Sequence, residues 1–480
     1  MGRGRVVEVL PYADSIDVSD PFLSIVTFCG GAGMNLTAQR LTDKSTGEIL
    51  SSRIFIPGDY LTGIRRASVY RIPDVDPRFQ AYDLCDEAVC EVLRADVMAV
   101  FGLCLGLSRN YAASAAYAPE QLRDPGFTAL HGITSSVMSG EKFNYFAQPG
   151  DKERGLKIIA DDIGPYDHYA LTWLYGSFPG DEKAALDRWI ADHAGKPEYA
   201  YGTAPYLRGR TLMSCQLGND VFAAYEAGLS HLKYVAEHGA DWIDDSVPES
   251  YAQLFYDWLF LRYNDLAAMV ASRVGYFRMN DARDPVKAET LPAAVQKKAL
   301  KTYFDGWRDL AWMESKPLLH IAGTNANASD YGMTSFFLLL GTGSKLAMVA
   351  MAHDVAGGDY TPQAFLADLQ EEVLRNVRRG HLMPKEEQMV RQYLQMLISY
   401  SPLMLENLKK RPSREAFADF TVGATAVPAA YAQELEVLCR TSLKQASALL
   451  LSGASACGND YDRRKILYLR NFAQAALGKE

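Results

Sequence analysis

The side chains that could do hydrolytic, metal or phosphate chemistry are scattered through this 480-residue chain. Its eight histidines are His131, His168, His193, His231, His238, His320, His353 and His381, and none lies in an H-E-x-x-H pair. That spacing is what sets two imidazoles one helical turn apart around a zinc ion. The seven cysteines, Cys29, Cys85, Cys90, Cys104, Cys215, Cys439 and Cys457, are odd in number and form no C-x-x-C. A zinc ribbon and a thioredoxin-type site are therefore unsupported, and most of these thiols are expected to be buried. There is no G-x-S-x-G elbow to present a serine nucleophile. Gly341-Thr-Gly-Ser-Lys345 misses the phosphate-loop spacing because Ser344 precedes the lysine, and Gly30-Gly-Ala-Gly33 lacks the third glycine of a dinucleotide fingerprint.

Two stretches carry more information. One runs Ala99-Val-Phe-Gly-Leu-Cys-Leu-Gly-Leu-Ser-Arg-Asn-Tyr-Ala-Ala-Ser114, the other Ser136-Val-Met-Ser-Gly-Glu-Lys-Phe-Asn-Tyr-Phe-Ala-Gln-Pro-Gly150. Together they resemble the zinc helix and Met-turn of a metzincin protease. The resemblance is to the large bacterial, exported or cell-envelope zinc metalloproteases of reprolysin-like type. Their pattern is about H-E-V-G-H-T-L-G-L-R-H-N-F-x-A-S, followed by S-V-M-D-Y-x-R-F-N-Y-x-A-Q-P-G-D. Leu105-Gly-Leu107, Asn110, Ala113-Ser114, Ser136-Val-Met138, Phe143-Asn-Tyr145 and Ala147-Gln-Pro-Gly-Asp151 match it. So do Ile163-Gly-Pro-Tyr-Asp167 downstream and Asp43-Lys-Ser-Thr-Gly-Glu-Ile49 upstream. The likeness is strong over residues 5 to 180 and weaker beyond, where Gln296-Lys-Lys-Ala-Leu300 and Trp312 are similar to the family's C-terminal region.

What the resemblance implies chemically is missing at the decisive atoms. The zinc ligands fall on Ala99, Leu103 and Arg109, and the general base on Val100. A catalytic zinc needs three lone-pair donors. Alanine and leucine offer none, an arginine repels a dication, and a valine takes no proton. The Met-turn keeps Met138 but has Ser139 and Gly140 where the family has Asp and Tyr. The resemblance thus implies a zinc enzyme's frame without its zinc, and no cofactor is expected. A replacement metal site would have to come from His131, His168, Asp167 and Glu141; plain surface or hydrogen-bonded histidines are the simpler expectation. Arg109 stands where a metal ligand would point and is suited to hold a carboxylate bidentately, internal or from a peptide. The retained cleft is expected near Arg109, Asn110, His131, Tyr145, Tyr166, Asp167 and His168.

The elements that must position these residues follow from pattern. Val6–Leu10, Ser24–Phe28 and Glu48–Ile56 read as strands, with a turn over 42–47. Asp83–Leu107 lacks proline, and its second half is apolar all round, which predicts a buried helix. Gly106 near its end permits a sharp turn. Beyond Thr211, stripes at Val295/Ala299/Leu300/Tyr303, Met389/Val390/Tyr393/Leu394/Leu397 and Tyr431/Leu435/Leu438/Ser442/Ala446/Leu449 predict helices. The expected fold is α+β: a metzincin-like (zincin) domain over 1–210, with a mixed sheet on a buried active-site helix, then a mainly helical domain over 211–480.

Bulk properties bound the function. With 48% hydrophobic and 22% charged residues, this is an ordinary globular composition. The net charge of −9 argues against a nucleic-acid partner. The basic clusters at Arg375/Arg378/Arg379, Lys409–Arg411 and Arg463–Lys465 read as solvated helix ends. No signal peptide is visible, and Phe336–Leu340 is too broken by Gly341, Gly343 and Lys345 to span a membrane. Location is left open, since the family is exported or cell-envelope. The expected function is a catalytically inactive protease homologue that binds a peptide or protein. The alternative is an active zinc endopeptidase with non-standard ligands.

Overall fold

Alternating β-branched and apolar residues build a small sheet from Ile25–Cys29 (β1), Thr37–Thr42 (β2) and Ile49–Pro57 (β3). Its order is β1-β3-β2. β1 runs parallel to β3, with Val26 beside Ile54, while β2 is antiparallel, with Ala38 also beside Ile54. Asp43 makes the turn between β2 and β3 by accepting the Ser45 N–H at 2.7 Å, an Asx-turn that reverses the chain locally. The structure, a computed structural model, describes residues 10–30, 35–68, 70–202, 215–243, 247–279, 288–322, 344–400 and 429–478. The expected strand at Val6–Leu10 (except Leu10), the rest of the Gly30–Gly33 turn, Phe336–Gly343 and Lys409–Arg411 lie outside the described residues.

Helices follow: Gly58–Ala67 (α1), Asp86–Cys104 (α2), Pro119–Leu122 (α3), Pro125–His131 (α4), Pro165–Tyr175 (α5), Glu182–His193 (α6), Val221–His238 (α7) and Glu249–Ala271 (α8). By contacts the chain divides into two compact units. Among the described residues, the first takes those up to Leu259 and the second those from Phe260 onward. The division falls inside α8, and α7 groups with the sheet-bearing unit. The reason is visible in α7: His231 bonds Asp74 and the carbonyl of Tyr145, so this helix is tied to the first unit although its sequence looks like the helical half.

The second unit holds a short antiparallel pair, Phe277–Met279 (β4) and Ala288–Thr290 (β5), and otherwise helices among its described residues. These are Ala293–Arg308 (α9), Lys316–Ala322 (α10), Ser344–Ala356 (α11), Pro362–Val373 (α12), Pro384–Ser399 (α13), Ala429–Ala456 (α14) and Asp460–Leu477 (α15). The predicted stripes sit on α9, α13 and α14. On α14 the buried line is Leu435, Cys439, Ser442, Leu443, Ala446 and Leu450, so Leu438 and Leu449 fall at its margin. The basic clusters here are paired: Arg375 with Glu372, Arg464 with Asp460, and Lys465 with Glu387.

Two expectations need correction. Only Cys104, Cys215 and Cys439 of the seven cysteines are buried; Cys85 and Cys90 are exposed around the first turns of α2, where no sheet covers the helix. The second half of α2 is also not enclosed all round, since Phe101 is 39% exposed. A three-stranded sheet covers one face of the helix, and the edge that bears Phe101 is left to solvent.

Candidate functional site

Helix α2 is begun by Asp86 and Glu87 in its first turn, where carboxylates favour the positive end of the helix dipole. It is stopped at Gly106, whose φ of +89° suits only glycine without strain. Its two faces do different things. Leu93, Val97, Val100 and Cys104 recur at helical spacing and pack on Ile54 and Ile56 of β3, with Leu36, Ala38 and Leu61 alongside. Val100, where the sequence resemblance would put a general base, is thus part of the sheet-facing core. The face toward the Met-turn carries Gly102. A Cβ there would stand 2.5 Å from Met138 Sδ, so glycine is what lets the Met-turn approach the helix. Met138 is completely buried.

One turn before Ala99, on the same face as Leu103, is Asp96, a buried acid inside an otherwise apolar run. The Tyr60 hydroxyl of α1 donates to its Oδ2 at 2.6 Å, and Lys142 Nζ forms an ion pair with its Oδ1. Beside this pair, Glu141 Oε1 accepts the backbone N–H groups of Lys142 (3.0 Å) and Phe143 (3.1 Å). Arg71 lies 4.0 Å from Glu141 Oε2 and covers the rings of Tyr70 and Phe143. Burial, then the Arg71 cation, pulls the Lys142 ammonium down to about 8, while the touching Asp96 carboxylate opposes that pull by favouring the charged form. Burial pushes the Tyr60 phenol up, and the Arg109 charge partly offsets it. Arg109 therefore lies within electrostatic reach of the Tyr60–Asp96 contact.

The sequence-predicted residues separate into two groups. Ala99 and Val100 are buried and Leu103 is half-buried. Arg109 is half-buried as well and, among the described residues, makes no hydrogen bond or ion pair. Asn110, Tyr145 and Asp167 are buried and hydrogen-bonded within the chain. Asn110 donates its backbone N–H to the Met138 carbonyl at 3.0 Å, and its amide bonds Ala200 O and Gly202 N. Asp167 accepts Ser136 Oγ (2.5 Å), Val137 N–H (2.8 Å) and Gly164 N–H (2.9 Å), which clamps the Met-turn. Its burial raises the carboxyl above the ordinary range and these three donors work against that rise. Tyr145 exchanges bonds with Cys215 O and Leu217 N in the core. Buried backbone polar groups need such partners, which is why polar residues are kept there.

Tyr166 stacks on Tyr201 with ring centroids 5.9 Å apart, and burial raises its phenol to about 12. His131 stacks on Phe127, and its carbonyl accepts the Tyr117 hydroxyl. His168 is exposed while its neighbour Asp167 points inward, so the four residues from which a replacement metal site might be made are not brought together. Among the described residues no three His, Cys, Asp or Glu side chains are grouped to hold a metal.

The fit to zinc can be judged from the donors present. Ala99, Leu103 and Arg109 supply no lone pair, and the Lys142 ammonium sits on the same helix face. These residues do not fit a catalytic zinc. Sequence reasoning missed Tyr60, Asp96, Gly102 and Lys142. The one available signal was Asp96, an acid in the run from Val92 to Leu107 that packing alone does not explain.

A family model described as Met-zincin matches residues 75–381, more than half of the chain. No curated protein and no solved structure matches it.

Proposed function

Taking as premise that the chain belongs to the Met-zincin family, we propose that it is a catalytically inactive, metalloprotease-like member that holds an extended peptide. The observation that carries this reading is the occupied ligand face of α2. Where the chemistry would need imidazoles and a base, it has Ala99, Val100 and Leu103, and one turn away an Asp96–Lys142 ion pair. Zinc would supply a Lewis acid and an activated water, and the side chains of Ala99, Val100 and Leu103 offer it no lone pair. The frame that presents a peptide is nevertheless kept. β2 is an antiparallel edge strand, so its outward backbone groups have no strand partner among the described residues. An extended peptide adds to such an edge through main-chain hydrogen bonds, without needing a metal.

The alternative, an active zinc endopeptidase with unusual ligands, finds no donor trio among the described residues. The two are separated with quenched-fluorescence peptide mixtures for hydrolysis and labelled peptides for binding. The reading expects binding without chelator-sensitive cleavage. Chelator-sensitive cleavage that tracks the purified protein would overturn it.

A further inference from the structure

We infer that Arg109 is an anion-binding residue that receives a carboxylate of the bound peptide. The inference rests on the peptide-binding reading above and names the group that its site recognises. Three observations lead to it. The first is placement: the next residue, Asn110, donates its N–H to the Met138 carbonyl at 3.0 Å, so the backbone at 109 is pinned to the Met-turn. The Met-turn in turn packs against α2 at Gly102. Arg109 is thus held at the helix face that bears Ala99 and Leu103, and its charge reaches the Tyr60 hydroxyl on that face.

The second observation is the charge balance. Asp96 and Glu141 are the acids of this cluster. Asp96 is taken by Lys142 and Tyr60, and Glu141 by two backbone N–H groups with Arg71 nearby. Among the described residues, Arg71 and Lys142 lie beside these two acids, and Arg109 is a further cation whose charge reaches Tyr60. Arg109 meets no acid among the described residues, so the internal partner that the sequence allowed is not found there. The third is chemistry. A guanidinium is always charged, presents a planar fork of donors, and matches a carboxylate with two parallel bonds. A neutral peptide carbonyl offers it less. The carboxylate can come from the peptide's C-terminus or from an Asp or Glu side chain.

The test uses the full chain and fluorescein-labelled random hexapeptides in three preparations. These are free-acid peptides without Asp or Glu, C-terminal amides containing Asp and Glu, and C-terminal amides without either. Anisotropy is expected to show at least one carboxylate-bearing set binding about tenfold to a hundredfold tighter than the neutral amides. Whichever set gains identifies the source. Arg109→Gln should erase the gain, and Arg109→Lys should keep part of it because the charge remains while the fork is lost. Arg188→Gln, on the exposed helix α6, controls for net charge and should leave the gain unchanged. Equal binding of all three sets would overturn the carboxylate inference and leave the peptide-binding reading standing. A gain that survives Arg109→Gln would likewise overturn it. Absence of binding by every set would overturn both. Because Arg109 makes no hydrogen bond among the described residues, its variants are expected to melt like the parent, and a melting curve checks this.

Discussion

Toward the sheet, α2 presents Val100 and Cys104 to Ile54 and Ile56 in a dry apolar layer; toward the Met-turn, the same helix presents Gly102 to Met138 and Asp96 to Lys142 and Tyr60. The two sides of the helix are built differently. On the sheet side an apolar residue at position 100 extends the core, which removes the cost of a buried carboxylate. On the Met-turn side polarity is kept, but its positive charge comes from a covalently attached ammonium.

The largest test of this contrast is Asp96→Ala. It strands the Lys142 cation and the Tyr60 hydroxyl, and should cost about 3 kcal/mol, the low end for a broken buried pair because Lys142 reaches solvent. The double variant Asp96→Leu with Lys142→Met should recover most of that loss, since replacing a buried pair by apolar residues is often neutral. Denaturant unfolding reads both. If the double variant is no better than the single, the ion pair does not act as a unit. Gly102→Ala is the next test. Its methyl collides with Met138 Sδ, so despite alanine's better helix propensity a net loss of about 1 kcal/mol is expected. An unchanged or raised melting temperature would show that the helix and Met-turn are not in close contact.

A further test, read through pH, lies outside both faces. Asp76, fully buried, is held by Arg78 and Lys152, and Arg78 also pairs with Glu91 on α2. Burial raises its carboxyl, but the bonds from Arg78 and Lys152 outweigh this and leave it below the ordinary aspartate range. The unfolded chain therefore binds the proton first as pH falls. The stability from Asp76 is complete above about pH 4 and is lost as pH drops through the lower folded value. Unfolding measured from pH 6 to pH 2.5 should show a shallower acid decline for Asp76→Asn than for the parent. Parallel declines would remove Asp76 from the account.

Local elements were legible because their periodicities are local. The predicted helix over 83–107 appears as Asp86–Cys104, and the predicted strand over 48–56 as Ile49–Pro57. The ordered motifs around Met138 likewise pointed to the Met-zincin family that the family model supports. The polar partners were not legible. Tyr60, Asp96 and Lys142 are far apart in sequence and meet only through tertiary packing. For the same reason the sequence does not reveal that polar atoms of Asn110, Tyr145 and Asp167 satisfy buried backbone groups. A polar side chain in a motif does not reveal whether its partner is a ligand or its own chain. The placement of α7 depended on contacts of His231 that no window of sequence contains.

The central claim is that this metzincin frame carries no catalytic zinc. It is tested most directly by elemental mass spectrometry of the purified, tag-free protein after dialysis against trace zinc. The account predicts far less than one equivalent of zinc. One tightly held equivalent would contradict it and would mean that ligands other than residues 99, 103 and 109 hold the metal.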